Sequence, residues 1–498
     1  MLIEPLLKNA KDIPDNVAIV DDKGPTTYAQ LATMAVGLGQ YLSEQTKQPR
    51  VGILLPASAG FVASFYGTLL AGKTVIPINF LLDERQIAHC IKDSGVDTVI
   101  TIPQLADKVK DHALKIIDLT ALPKPPVGAI APKVPQKSVD DLAVVMYTSG
   151  TSGLPKGAML TYGNLHYDTI HSIEAIKLTH EHTFLGVIPL FHAFGMMASM
   201  LAPIQLGSKA VYIGRFSPAA AIKAIREHKI SFLFGVPSMF GAIANMKTAT
   251  ADDFKTMYAV ISGGEPLSPQ VAEAFEKKFG KPILQGYGLT ETSPAVCFNT
   301  PQVSKKGSVG KPIPTAEFRI TGEKGEAMKT GETGEIWIKG PMVMKGYLNQ
   351  PEATAEILTA DGHFKSGDLG KIDEEGFLFI TGRKKDLIIV AGEKVFPREI
   401  EELLMKHAGV SDAAVVGKKD ESRGEAVVAF VEKKEGQNVT AEELKELMKQ
   451  QNVPNWKSPK EYFIVDDLPR SPTGKVLKRE LAAKVNEEPP EKSKPVGS

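Results

Sequence analysis

Short apolar runs alternate with helix-period stretches through most of this 498-residue chain, and that alternation constrains the fold more than any other feature. A run of three to five consecutive apolar residues is too short for a helix and needs cover on both faces. Residues 51–55, 74–78, 98–101, 210–213, 232–234 and 258–261 read as such strands, with helices at 61–71, 218–227 and 269–279 between them. The expected fold class is therefore α/β, mostly parallel sheets covered by helices. Near residue 334 the pattern changes to shorter strands and turns, at 335–339 and 376–380. A second unit begins near residue 383: a helix over 397–406, strands over 412–416 and 426–431, a helix over 441–450 and a strand over 461–465. That order predicts a small α+β domain of roughly a hundred residues. Residues 123–137, rich in Pro, Lys and Ala, read as a surface connection, and the Pro/Glu/Lys-rich tail 486–498 as disordered.

The length suggests about three domains or subdomains. A hydrophobic content of 43% with 23% charged residues is that of a globular enzyme. Lysine plus arginine (58) balances aspartate plus glutamate (58), so no net field draws nucleic acid. Cys90 and Cys297 are the only cysteines and give neither a disulfide framework nor a zinc spacing, which favours a cytoplasmic setting. No run of eighteen apolar residues spans a bilayer, and the first residues lack the basic, apolar pattern of a signal peptide. Peripheral membrane contact stays open.

Residues 147–157, YTSGTSGLPKG, carry the strongest chemical signal. Gly150 and Gly153 free backbone N–H groups to face an anion; Thr148, Ser149, Thr151 and Ser152 add hydroxyl donors, and Lys156 adds a positive charge. The combination makes a cradle for a polyphosphate, without the spacing of a Walker A loop. The apolar stretch before it predicts a strand, with the loop leaving a sheet edge. In residues 285–294, QGYGLTETSP, two glycines bracket Tyr287, leaving its ring to stack on a flat ligand such as a purine. Glu291 supplies a hard oxygen suited to Mg2+. In residues 363–370, HFKSGDLG, Asp368 reads as a carboxylate in a polar turn, able to accept from ribose hydroxyls or simply to stabilise the turn. The charged cluster GRKKD at 382–386 lies where a hinge between two units would fall, and Lys475 sits on a Pro/Gly turn in PRSPTGK.

In this order and spacing, these segments resemble the adenylate-forming superfamily of acyl- and aryl-CoA synthetases, amino-acid adenylation domains and beetle luciferases. The resemblance runs from about residue 26 to residue 481. IPLFHAFG (188–195), GVPSMF (235–240), SGGEPLS (262–268) and KGPMVMKGYLNQPEAT (339–354) are most similar to fatty acyl-CoA and acyl-acyl-carrier-protein synthetases. The resemblance implies a large N-terminal AMP-binding domain, residues 1–382, with two sheet subdomains and a distorted β-barrel. It also implies a hinge at 383–386 and a mobile C-terminal domain over 387–485.

It further implies roles. Residues 148–156 hold the β- and γ-phosphates of ATP, and Glu291 with Thr148 holds Mg2+. Gly264, Glu265 and Pro266, with Gln285, Gly286 and Tyr287, frame the adenine, next to Gly288 and Thr290. Asp368 binds the ribose with Arg383 beside it. Lys475 offsets charge during adenylation. The small domain then turns about Lys385 to bring Gly392 toward a pantetheine arm. His192 stands at the acyl site, where amino-acid adenylation domains carry an aspartate, and residues 188–206 line an apolar acyl tunnel or simply pack a core. Ile389 and Met196 replace a lysine and an aromatic gate found in some relatives, which leaves chain length and thiol partner open. The expected activity is AMP-forming fatty acid–CoA ligation using ATP, Mg2+ and coenzyme A. The alternatives are an acyl-carrier-protein acceptor, a non-catalytic nucleotide-binding protein, and a luciferase-like monooxygenase. A homodimer and acetylation of Lys475 are compatible with this reading.

Overall fold

Buried on both faces, the short apolar runs assemble into two large sheets. The computed structural model describes residues 1–122, 134–148, 154–470 and 476–487. The first sheet has six strands in the order Lys115–Asp118, Thr98–Thr101, Arg50–Ile53, Thr74–Pro77, Leu142–Thr148 and Lys156–Thr161. All neighbours are parallel except the last pair, which is antiparallel. Every residue of Thr98–Thr101 and Thr74–Pro77 is buried, as covered parallel strands require. The second sheet has nine strands, parallel through its centre from Val17–Asp21 to Ile283–Gly288, with antiparallel strands at each edge. One continuous apolar core joins these two sheets and their helices.

Helix ends follow local chemistry. Pro269–Phe279 starts at Ser268, whose side chain accepts from the Val271 N–H, has Pro269 in its first turn, and stops at Gly280 in a left-handed conformation. Ala441–Gln450 starts from a reciprocal capping box between Thr440 and Glu443.

The third sheet corrects an expectation. Glu317–Thr321, Gly334–Lys339, Phe364–Ile372 and Leu378–Arg383 form an open four-stranded antiparallel sheet, not a closed barrel. Its two outer strands do not pair with each other among the described residues. Asp368 therefore lies within a strand rather than a turn, opposite Arg383; against Gly334–Lys339 the register shifts across residues 366–368, where Gly367 (φ +70°) marks a bulge.

After Lys384–Asp386 the chain enters a separate five-stranded sheet. Its long hairpin, Val410–Asp420 and Gly424–Lys433, is apolar on both faces, and alternation sorts the side chains. Ala413 and Val415 face the helices Pro397–Leu404 and Ala441–Gln450, whereas Ala414 and Val416 face Lys478–Asn486. That last helix runs through Asn486, the first residue of the expected disordered tail; its side chain accepts from the Lys419 N–H. Residues 488–498 lie outside the described residues, as does most of the surface connection at 123–137. Both cysteines are buried and free, and burial raises the Cys90 thiol to about 12. No helix among the described residues is long and apolar enough to cross a membrane.

Candidate active site

The glycine- and hydroxyl-rich loop joins an inner strand to the sheet's edge strand. Thr148 ends the first, Lys156 begins the second, and the two are directly paired, with the Thr148 hydroxyl 3.4 Å from the Lys156 carbonyl it donates to. Ser149, Gly150, Thr151, Ser152 and Gly153 lie outside the described residues. The base of the loop is thus a hairpin that fixes where its donors begin and where its cation ends.

Glu291 sits in a single turn of 3-10 helix, Thr290–Thr292. Its backbone carbonyl accepts from the Met344 N–H at 2.8 Å, and its Oε1 accepts from the Tyr347 hydroxyl at 2.7 Å. The Lys156 ammonium lies 5.2 Å from the centre of the same Tyr347 ring. One phenol therefore touches both the candidate phosphate cation and the candidate metal carboxylate. Sequence reasoning missed Tyr347, although the Gly346-Tyr347 pair echoes Gly286-Tyr287. Among the described residues no cluster of three or more His, Cys, Asp or Glu could hold a metal. One carboxylate and one hydroxyl, Glu291 and Thr148, suit an ion that keeps its waters and binds chiefly through substrate phosphates, as Mg2+ does.

Tyr287, Asp368 and Arg383 form a second cluster. The Tyr287 hydroxyl donates to Asp368 Oδ2 at 2.7 Å, and Arg383 Nε lies 2.8 Å from Oδ1. Ser366 accepts from the Asp368 N–H and donates to the Ile336 carbonyl, which anchors the bulge. Asp368 is only 4% exposed. Burial, reinforced by the Asp368 charge, pushes the Tyr287 hydroxyl well above its usual pKa, so it remains a donor. Burial works against the Arg383 charge, but Asp368, Tyr287 and Asp386 around it together outweigh burial and its pKa rises. Gly288 is a steric requirement: a Cβ there would meet the Pro294 carbonyl oxygen at 1.7 Å.

Phe232–Gly235, Ala259–Ser262 and Ile283–Gly288 are parallel neighbours, with Gly235 opposite Ser262 and Ser262 opposite Gln285. Gly264, Glu265 and Pro266 thus leave the sheet at the same end as Gln285–Tyr287, the carboxyl end where open α/β sheets bind ligands. A Cβ on Gly263 would lie 3.2 Å from the Phe194 ring, so the segment after His192 covers this corner. His192 is exposed and its Nδ1 accepts from the Phe194 N–H, capping Ala193–Met196; it is not a packed core histidine. The chain continues as a π-helix, Met197–Leu201, buried throughout. Most apolar side chains of residues 188–206 are core residues.

Lys385 follows Arg383 in the 3-10 turn, and burial lowers its pKa. Lys384 pairs with Glu335 at 2.9 Å. Gly392 (φ +86°) and Ala391 (φ +52°) form the tight turn joining Ile388–Val390 to Glu393–Val395, and Ile389 beside them is exposed. Lys475 lies outside the described residues.

Comparison with known proteins places this geometry. The AMP-binding enzyme family matches residues 6–348, and the AMP-binding enzyme C-terminal domain matches residues 399–475. The chain belongs to the AMP-binding enzyme family. The long-chain-fatty-acid–CoA ligase of Bacillus subtilis (strain 168) is 33% identical, covering 96% of this chain and 93% of its own length. The feruloyl-CoA synthase of an Amycolatopsis species is also 33% identical, covering 95% and 97%. The crystal structure of ATP-bound MatB from Rhodopseudomonas palustris superposes with a TM-score of 0.89 at 28% identity, over 97% of this chain and 99% of that one. The o-succinylbenzoate-CoA synthetase of Bacillus subtilis, in complex with ATP and magnesium ion, gives 0.85 at 29%, over 96% and 98%. As an AMP-binding enzyme the chain is an adenylate-forming acid–CoA ligase, and its relatives share that reaction class while differing in the acid.

Proposed function

We infer that the protein activates a fatty acid with ATP to an acyl-adenylate and transfers the acyl group to the thiol of coenzyme A. A carboxylate oxygen attacks the α-phosphorus, the bond to the β-phosphate breaks, and pyrophosphate leaves with the electron pair. The thiolate sulfur then attacks the acyl carbonyl, the bond to AMP breaks, and the thiol proton passes to solvent. The obstacle in the first step is repulsion between two anions, so the site needs cations and oriented donors rather than a covalent nucleophile.

The observation that carries this reading is the pair of clusters that meet the end of Ile283–Gly288. Lys156 lies over the Tyr347 ring whose hydroxyl donates to Glu291, and Asp368 is held by Tyr287 and Arg383. On this reading residues 148–156 hold the phosphates and Asp368 the ribose hydroxyls. Gly264–Pro266 and Gln285–Tyr287 frame the base, with Gly288 and Thr290 in the same strand and turn. Glu291 and Thr148 hold Mg2+, which supplies charge neutralisation on the phosphates. Lys475 stands between carboxylate and α-phosphate. Residues 1–382 and 387–485 then act as two lobes hinged over 383–386 about Lys385, and Gly392 serves the thioester step.

A fatty acid is favoured by the apolar segment 188–206 and by His192, which offers no carboxylate to a substrate ammonium. The feruloyl- and 2-succinylbenzoate-CoA ligases among the relatives make aryl acids the second reading. The acceptor is not set by the fold, since the amide bond synthetase McbA superposes with a TM-score of 0.89 at 25% identity. The deciding experiment is a pyrophosphate-release screen over saturated fatty acids, aryl acids and amino acids, each with CoA or acyl-carrier protein. Fatty-acid- and CoA-dependent turnover supports the reading. Release confined to aryl or amino acids, or thioester formed only on carrier protein, overturns the corresponding half.

A further inference from the structure

We propose that Tyr347 is a positioning residue that holds Lys156 and Glu291 apart, keeping one available to phosphate and the other to the metal. The inference rests on the ligase reading for the identity of those two ligands, but its geometry stands independently. The Tyr347 hydroxyl donates to Glu291 Oε1 at 2.7 Å while its ring faces the Lys156 ammonium at 5.2 Å. Among the described residues no ion pair joins Lys156 to Glu291; the ammonium lies over the Tyr347 ring and the carboxylate at its hydroxyl.

A cation and an anion held this close would pair directly if the spacer were absent, and each would then be quenched for its own ligand. The phenol prevents this in two ways. Its O–H occupies one carboxylate oxygen and orients the other, which favours one-oxygen ligation of a hard cation. Its ring face attracts the ammonium without neutralising it.

The backbone keeps the spacer in place. Residues 345–348 run antiparallel beside the edge strand Lys156–Thr161: Met159 N–H donates to the Gly346 carbonyl at 2.9 Å, Lys345 N–H to the Met159 carbonyl at 2.9 Å and Leu348 N–H to the Gly157 carbonyl at 2.8 Å. One residue earlier, Met344 donates to the Glu291 carbonyl, so this segment is stitched to both sides of the site.

Tyr347→Phe removes the hydroxyl and keeps the ring; Tyr347→Leu removes both. Two readouts are needed. One is acid-dependent pyrophosphate release against free Mg2+ and against ATP. The other, independent of turnover, is Mn2+ binding by electron paramagnetic resonance with α,β-methylene-ATP. Tyr347→Phe is expected to raise half-saturating Mg2+ and Mn2+ at least threefold, with the KM for ATP at saturating Mg2+ within twofold. Tyr347→Leu is expected to raise both at least threefold. In a Glu291→Gln background the Phe substitution should add no further change in Mn2+ binding, a coupling that a merely structural role would not produce. Metal dependence within twofold of wild type in the folded Phe variant overturns the proposal, as does an equal loss in the Glu291→Gln background. If wild type binds Mn2+ and nucleotide yet releases no pyrophosphate with any acid, the ligase reading fails and the Mn2+ data alone judge Tyr347. If wild type binds no Mn2+ with nucleotide, the proposal fails outright.

Discussion

Replacing Asp368 by Asn tests the ribose corner with almost no change in shape. The carboxylate accepts from Tyr287 at 2.7 Å and from Arg383 at 2.8 Å and is nearly fully buried. In the variant the amide oxygen can still face Arg383, and the Tyr287 hydroxyl can rotate to accept from the amide nitrogen. What is lost is charge. Arg383 is 37% exposed, so water screens it, and the expected loss of stability is about 1–2 kcal/mol. Nucleotide binding suffers more, because two ribose hydroxyls donating to a carboxylate make charge-assisted bonds. Substituting an amide removes the charge from one bond and forces the other hydroxyl to turn and accept from the amide nitrogen, for a loss of about 2–3 kcal/mol, or roughly 30- to 150-fold in kcat/KM for ATP. The assay is pyrophosphate release against ATP and against 2′-deoxy-ATP, with urea unfolding as the control. Wild type should prefer ATP strongly, and Asp368→Asn should lose most of that preference. A folded variant whose kcat/KM for ATP and preference over deoxy-ATP stay within threefold of wild type would refute the reasoning.

Two other predictions concern stability. Asp168 is fully buried, and burial raises its pKa well above the usual carboxylate range, outweighing a hydrogen bond from the Ala295 N–H. The folded state therefore binds a proton that the unfolded state releases, and stability falls as pH rises from the unfolded value, about 3.9, toward the folded one, by up to about 1.4 kcal/mol per pH unit. Asp168→Asn should flatten this slope, so its melting temperature relative to wild type increases from pH 4.5 to pH 7; a constant difference across that range would contradict the assignment. Gly288→Ala places a Cβ 1.7 Å from the Pro294 carbonyl oxygen, so backbone must move, at a cost of about 3 kcal/mol by chemical denaturation and with weakened AMP binding by calorimetry. An unchanged denaturation midpoint would contradict that packing.

The elements most legible in the sequence were those where period and punctuation agree. Pro269–Phe279 and Ala441–Gln450 carry a capping Ser or Thr at the start, and Glu461–Val465 is a clean β-rich run. Asp368 was misplaced because Gly367 and Gly370 read as a turn, whereas pairing with Leu378–Arg383 holds the bulge inside a strand. The polar ends of Val410–Asp420 hid its length, since lysines at an exposed strand end look like loop. The barrel came from resemblance alone, with no residue pattern to support it. Tyr347 was invisible for another reason: its partners are 191 and 56 positions away, and only the fold brings them together.

The central claim is that carboxylate and nucleotide are joined at this site with help from Lys475. The most direct measurement is acid-dependent ATP–pyrophosphate exchange in Lys475→Ala, set beside its conversion of supplied acyl-adenylate to acyl-CoA. The account predicts exchange reduced roughly a hundredfold, from loss of about 3 kcal/mol of charge stabilisation, with thioester formation within about fivefold of wild type. Exchange at the wild-type rate would contradict it.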